Sequence, residues 1–110
     1  MKRGEVWTAA AGSGYAGKPR PVAVIQDDRF DATDSVTICA FTTDATDAPL
    51  IRLAVAPTSL NGLRDTSSLM VDMITTVRRS KLGERIGRLS NEDLVRLDRG
   101  IVVFLGLAGS

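Results

Sequence analysis

Residues 18–26, KPRPVAVIQ, constrain the fold more than any other part of the chain. Pro19 and Pro21 fix φ on either side of Arg20 and favour extended backbone at the residues that precede them. The apolar run at 22–25 is too short for a helix and is typical of a strand buried on both faces. The sequence therefore predicts a core strand, with Arg20 on conformationally restricted backbone at its N-terminal end. Arg20 is then either a phosphate-binding residue or a solvated strand end.

Short β-branched or apolar runs, separated by glycine, proline and aspartate, predict further strands along the chain. They cover residues 4–8, 35–41, 50–56, 67–77 and 82–89. A glycine-rich loop is expected at 9–17, and one turn of helix at 59–63. Asp72 interrupts the run at 67–77, so its carboxylate must point out of the core, be paired or face a functional cleft. One alternative for this run is a kink between two strands with Asp72 outside.

The C-terminal part predicts a helix. Ser90 is followed by residues of the first turn that include two carboxylates, which suits a helix N-terminus, and Gly106 marks the end. Apolar residues recur at spacings of three and four, so we expect one helix face to pack on the sheet. These residues are Leu94, Leu97, Ile101, Phe104 and Leu105. The prediction is one domain, residues 1–110, mainly β with a C-terminal α-helix.

The absence of histidine limits the chemistry that the chain can perform. It excludes the usual zinc sites, the serine and cysteine triads and histidine-based ribonuclease chemistry. The one cysteine, Cys39, lies in an apolar run and is predicted to belong to the core. We expect no metal and no cofactor, and an enzyme that uses arginine, lysine, carboxylate or hydroxyl groups.

No apolar stretch approaches the roughly 20 residues that a membrane span requires. The opening MKRGEVW also lacks the apolar central region of a signal peptide. We therefore expect a cytoplasmic protein with no membrane partner.

Charge is unevenly distributed, although the formal net charge is only +1. Residues 27–47 contain six aspartates and one arginine, whereas residues 78–88 contain five basic residues and one glutamate. A basic cluster can bind phosphates even when the whole protein is nearly neutral. The alternative for residues 78–88 is a solvated strand-and-turn face.

Several segments, taken in order, resemble the MazF/PemK toxin family of toxin–antitoxin systems. They are GEVW at 4–7, RPVAVI at 20–25, ICAFTT at 38–43, VDMITTV at 71–77 and LSNEDLVRLDRGIVVFLGL at 89–107. The resemblance implies a small SH3-like or PemK-type barrel with a C-terminal helix, forming a homodimer. Members of this kind cut single-stranded RNA at short sequences without a metal, and the C-terminal segment of an antitoxin blocks their groove.

The resemblance also assigns roles to individual residues. The arginine of the family's R-P-V motif falls on Arg20, and its threonine after the third strand falls on Thr42. The carboxylate of the D-Q-x-R motif falls on Asp72, but the glutamine and arginine of that motif are missing here. A loop glutamate that some relatives carry before the R-P-V motif also has no counterpart.

RNA carries its own nucleophile, the 2′-hydroxyl, so the protein need only position the strand, move protons and stabilise the phosphorane. Arg20 suits phosphate stabilisation, Thr42 can donate a hydrogen bond, and Asp72 is the candidate base. The predicted RNA-binding residues lie in the glycine-rich loop, next to Arg20 or Thr42 in the sequence, or in the basic segment. They are Tyr15, Lys18, Thr43, Arg78, Arg79, Lys81 and Arg85.

Two other functions remain open at this point. The fold resemblance includes CcdB, a non-enzymatic toxin that binds DNA gyrase through a tryptophan-containing C-terminal end. Residues 107–110 contain no tryptophan, which argues against that activity. The altered D-Q-x-R motif is instead compatible with a catalytically inactive barrel that binds nucleic acid or a peptide.

Overall fold

A computed structural model describes residues 1–10 and 18–107 of the chain. Within these residues it contains seven strands and one α-helix, which confirms the prediction of a mainly β fold with a C-terminal helix. The elements are β1 (Glu5–Ala9), β2 (Arg20–Val24), β3 (Ser35–Thr42), β4 (Arg52–Val55), β5 (Ser67–Met70), β6 (Thr75–Arg78), β7 (Leu82–Arg88) and α1 (Asn91–Leu105). The strand predicted from residue 22 already begins at Arg20.

The strands pair in the order β4-β5-β3-β2-β1-β7, and every described pair is antiparallel. β3 has β2 on one side, while β5 and β6 share its other side. The β-prone run at 67–77 forms two strands, separated by a 3-10 turn at Val71–Met73, which agrees with the alternative of a kink between strands at Asp72. The break arises because Val71 turns fully into the core, while Asp72 stays at the surface.

The turn that precedes β5 lies directly against β7. Arg88 N donates to Leu60 O at 2.9 Å, and Gly62 N donates to Thr58 O at 3.0 Å. The second bond has the i to i+4 spacing of one helical turn, which agrees with the single turn of helix predicted at 59–63. Gly62 has φ +70, and a Cβ there would lie 2.1 Å from Ile86 O. The close approach of the two backbones therefore requires glycine at position 62.

The helix begins and ends as predicted. Ser90 Oγ accepts a hydrogen bond from Asp93 N at 3.1 Å, and Gly106 adopts a left-handed conformation after the last turn. Leu97 is fully buried in the main core, whereas Phe104 and Leu105 are about half exposed. The prediction that these last two residues pack on the sheet is wrong. The helix contacts β4 and the Val71–Met73 turn, and its side chains from Val103 onward are exposed.

Cys39 is fully buried in the same core, in agreement with the sequence prediction. Burial raises the pKa of its thiol to about 12. Among the described residues, no helix is both long and apolar enough to cross a membrane.

Candidate active site

A cavity of about 460 Å³ opens where β2 begins and β3 ends. We call it the Arg20 cavity. The side chains around it are those of two cations, one carboxylate, three hydroxyl residues and three apolar residues. They belong to Lys18, Pro19, Arg20, Pro21, Phe41, Thr42, Thr43, Asp65 and Ser67. The structure thus brings together four of the predicted site residues, namely Arg20, Thr42, Lys18 and Thr43.

Strand register explains why Arg20 and Thr42 are neighbours. Val22 of β2 pairs with Ala40 of β3. Continuing this antiparallel register by two residues places Arg20 beside Thr42. On the opposite side of β3, Thr42 pairs with Ser68 of β5. The predicted phosphate-binding arginine and the predicted threonine therefore stand at one end of the sheet, although 22 positions separate them in the sequence.

Thr42 is buried, and its hydroxyl oxygen accepts a hydrogen bond from Asp44 N at 3.2 Å. This contact holds the Thr42 side chain at the beginning of the turn that follows β3. A hydroxyl also has one hydrogen to donate, so Thr42 can donate to a phosphate oxygen in the cavity. Arg20 and Thr43 are exposed at the same end of the sheet.

Asp72 lies outside the Arg20 cavity and forms a bidentate ion pair. Its two carboxylate oxygens accept from Arg52 Nε at 2.9 Å and Arg52 Nη2 at 3.1 Å. The hydrogen bond from Arg52 lowers the pKa of Asp72, despite its partial burial. Of the three arrangements that the sequence left open for Asp72, the structure shows a paired carboxylate. Its role as the base stays a prediction.

The basic segment is divided between different parts of the sheet. Arg78 pairs with Ser35 at the far end of β3, seven residues or about 23 Å from Thr42 at the usual rise per residue. Arg79 Nε donates to Thr33 O at 2.8 Å in the same region. These two arginines are not brought to the Arg20 cavity.

Lys81 and Arg85 lie on the other side of β1 from β2. The backbone carbonyl of Lys81 accepts from Ala10 N at 2.9 Å, and Arg85 forms an ion pair with Glu5 at 3.2 Å. Neither side chain lines the Arg20 cavity. Tyr15, the predicted base-stacking residue, lies outside the described residues. RNA contact by the basic segment and by Tyr15 stays a prediction.

Asp65 and Ser67 line the cavity and were not among the predicted site residues. A second opening of about 500 Å³ shares Lys18 and Asp65 with the first and extends to Arg64 and Glu84. The signal for this region was the polar run RDTSS at 64–68, directly before a strand. The sequence alone does not show that this run lies near Arg20, because its position depends on the pairing of β5 with the end of β3.

A comparison with protein families matches residues 2–105 to the family described as PemK-like, MazF-like toxin of type II toxin–antitoxin system. The chain belongs to this family. The match spans every strand and the helix of the toxin, including the Arg20 cavity.

Individual relatives agree with the family match. The toxin is 60% identical over 109 residues to a probable endoribonuclease MazF of Mycolicibacterium smegmatis, covering 99% of this chain and 100% of that protein. It is 27% identical to endoribonuclease MazF9 of Mycobacterium tuberculosis, covering 97% and 98% of the two chains.

A solved mycobacterial endoribonuclease in complex with its cognate antitoxin has the same fold. It superposes with a TM-score of 0.80 at 23% identity, covering 97% of this chain and 96% of that one. This likeness confirms the predicted small β fold with a C-terminal helix.

Proposed function

We propose that this toxin is an endoribonuclease that cleaves single-stranded RNA in the Arg20 cavity by attack of the 2′-hydroxyl on the adjacent phosphate. The observation that carries the proposal is the placement of Arg20 beside Thr42 by the β2–β3 register, inside a cavity that also contains Lys18. The 60% identity to a probable endoribonuclease supports the same activity.

Each residue has a defined task in this reaction. The planar guanidinium of Arg20 donates two hydrogen bonds to the non-bridging oxygens, whose negative charge increases as the phosphorane forms. Thr42 adds a third donor from the neighbouring strand, and Lys18 supplies positive charge that attracts the RNA backbone. Because the nucleophile is the 2′-hydroxyl of the RNA, the reaction leaves a 2′,3′-cyclic phosphate, and we propose that it uses no metal.

We further propose that the toxin acts in the cytoplasm as a homodimer and that the C-terminal segment of a cognate antitoxin inhibits it. Exposed apolar side chains near the end of α1 support a protein partner, because patches of this kind mark interaction surfaces. They are Val103, Phe104, Leu105 and Leu107. The relative solved with its antitoxin supports the inhibitor, since it has the same fold.

Substitution of Arg20 tests the proposed activity. Arg20→Ala should lower the rate of cleavage of a defined single-stranded RNA by about 10²-fold or more, because one transition-state donor is lost. The matched control is Arg99→Ala, which removes an exposed arginine from α1. Both variants should keep the wild-type melting temperature. Unchanged cleavage by folded Arg20→Ala would refute the assignment, and a folded wild-type toxin without cleavage would favour the non-enzymatic alternatives.

A further inference from the structure

The proposed cleavage needs a group that removes the proton of the 2′-hydroxyl. A guanidinium is protonated at all physiological pH values, and a threonine hydroxyl is too weak a base. Asp72 is engaged through both oxygens by Arg52 and does not line the cavity. None of these three groups therefore supplies a proton acceptor in the cavity.

Asp65 is the only carboxylate among the described residues that line the Arg20 cavity. It shares the cavity with Lys18, Arg20 and Thr42, so an acceptor and the phosphate-binding donors surround one space. Asp65 is exposed, and a substrate can therefore reach it. The charged groups that share an opening with Asp65 are Lys18 and Arg20 in this cavity, and Arg64 and Glu84 in the adjoining one.

The backbone around Asp65 is fixed from both sides. On the N-terminal side, buried Asn61 accepts from Thr58 N and Leu63 N at 3.0 Å each. Its amide also donates to the carbonyl of residue 56, 3.0 Å away. On the C-terminal side, the buried Ser67 hydroxyl donates to Asp65 O at 2.9 Å. A loop secured in this way can present a side chain in a constant position, as a catalytic group requires.

We propose that Asp65 is the catalytic proton acceptor of this toxin, which rests on the proposed endoribonuclease activity. The Asp65 carboxylate takes the proton of the 2′-hydroxyl while the 2′-oxygen forms its bond to phosphorus. The bond from phosphorus to the 5′-oxygen breaks, its electron pair stays on that oxygen, and the oxygen takes a proton from water. Asp65 then returns its proton to the solvent, which restores the carboxylate.

Asp65→Asn is the main test, because it removes the proton acceptor at almost constant volume. The single-turnover cleavage rate at neutral pH should fall by about 10²-fold to 10⁴-fold, the usual contribution of general acid–base catalysis. Binding of the same RNA with a 2′-deoxy sugar at the cleavage site should stay within about twofold of wild type, since the acceptor acts only in the chemical step.

Three controls make the result decisive. Asp34→Asn changes an exposed aspartate at the far end of the sheet and should leave cleavage unchanged. Asp65→Glu keeps a carboxylate and should retain more activity than Asp65→Asn. Melting temperatures show that all variants are folded.

Wild-type cleavage by Asp65→Asn would overturn the proposal for Asp65 and leave the proposed function intact. An equal loss in 2′-deoxy RNA binding would also overturn it, because Asp65 would then act only in binding. An inactive wild-type toxin would overturn the proposed function, and with it the proton acceptor.

Discussion

Gly62 and Gly106 provide a matched test of how the turn before β5 is held against β7. Both glycines have positive φ, +70 and +71, so alanine meets the same backbone penalty of about 1 to 2 kcal/mol at either position. Their surroundings differ. An alanine Cβ at Gly106 has no described atom within 4 Å, whereas at Gly62 it would lie 2.1 Å from Ile86 O.

The expected difference between the two variants follows from this geometry. Gly106→Ala should lower the free energy of unfolding by about 1 kcal/mol, because alanine also restricts the unfolded chain. Gly62→Ala adds an overlap with rigid backbone, which costs about 1 to 3 kcal/mol. Separation of the two segments also breaks the hydrogen bond from Arg88 N to Leu60 O, worth about 1 kcal/mol. We therefore expect a loss of about 3 to 5 kcal/mol for Gly62→Ala.

Urea unfolding at one protein concentration, followed by the fluorescence of Trp7, measures both values. The single tryptophan lies on β1, next to β7, and so reports on this part of the sheet. If Gly62→Ala lowers the free energy of unfolding no more than Gly106→Ala does, the close backbone contact between this turn and β7 is refuted.

Two further predictions concern groups with shifted pKa values. Arg52 lowers the pKa of Asp72 in the folded protein below its ordinary value of 3.8. The ion pair therefore stabilises the folded state fully above pH 3.8. This stabilisation is lost as the pH falls through the lowered pKa of the folded state. Arg52→Met should therefore show a shallower fall in the free energy of unfolding below pH 4, and a slope equal to wild type would contradict the pairing. The Cys39 thiol is buried, and its pKa is raised to about 12. At pH 8 it should therefore react with iodoacetamide at least about 100-fold more slowly in the native protein than in urea-unfolded protein. Rapid labelling of the native toxin would show that this part of the core opens.

Local patterns predicted most of the secondary structure. The β-branched runs located the strands, and the Ser90 cap with its apolar spacing located the helix, because these signals depend only on neighbouring residues. The pattern left open whether residues 67–77 form one strand or two strands with a kink at Asp72, since the break depends on packing of Val71 beneath the helix. It also could not predict where α1 leaves the sheet, and Phe104 fits the apolar spacing although it is about half exposed.

Sequence motifs located part of the candidate site, whereas the rest depends on contacts between distant segments. Arg20 and Thr42 were assigned from motifs, and the register of β2 and β3 then explains their proximity. Asp65 was missed because it reaches the cavity through the pairing of β5 with β3, a contact between distant segments. The bidentate partner of Asp72 was missed for the same reason, since Arg52 lies 20 residues away on β4.

Analysis of the RNA ends produced by purified toxin tests the central claim most directly. A defined single-stranded RNA is incubated with the toxin in excess EDTA, and both new termini are identified. Attack by the 2′-hydroxyl in the Arg20 cavity predicts cleavage under these conditions, with a 2′,3′-cyclic phosphate on one fragment and a 5′-hydroxyl on the other. Cleavage that requires an added metal ion and leaves a 5′-phosphate would contradict it.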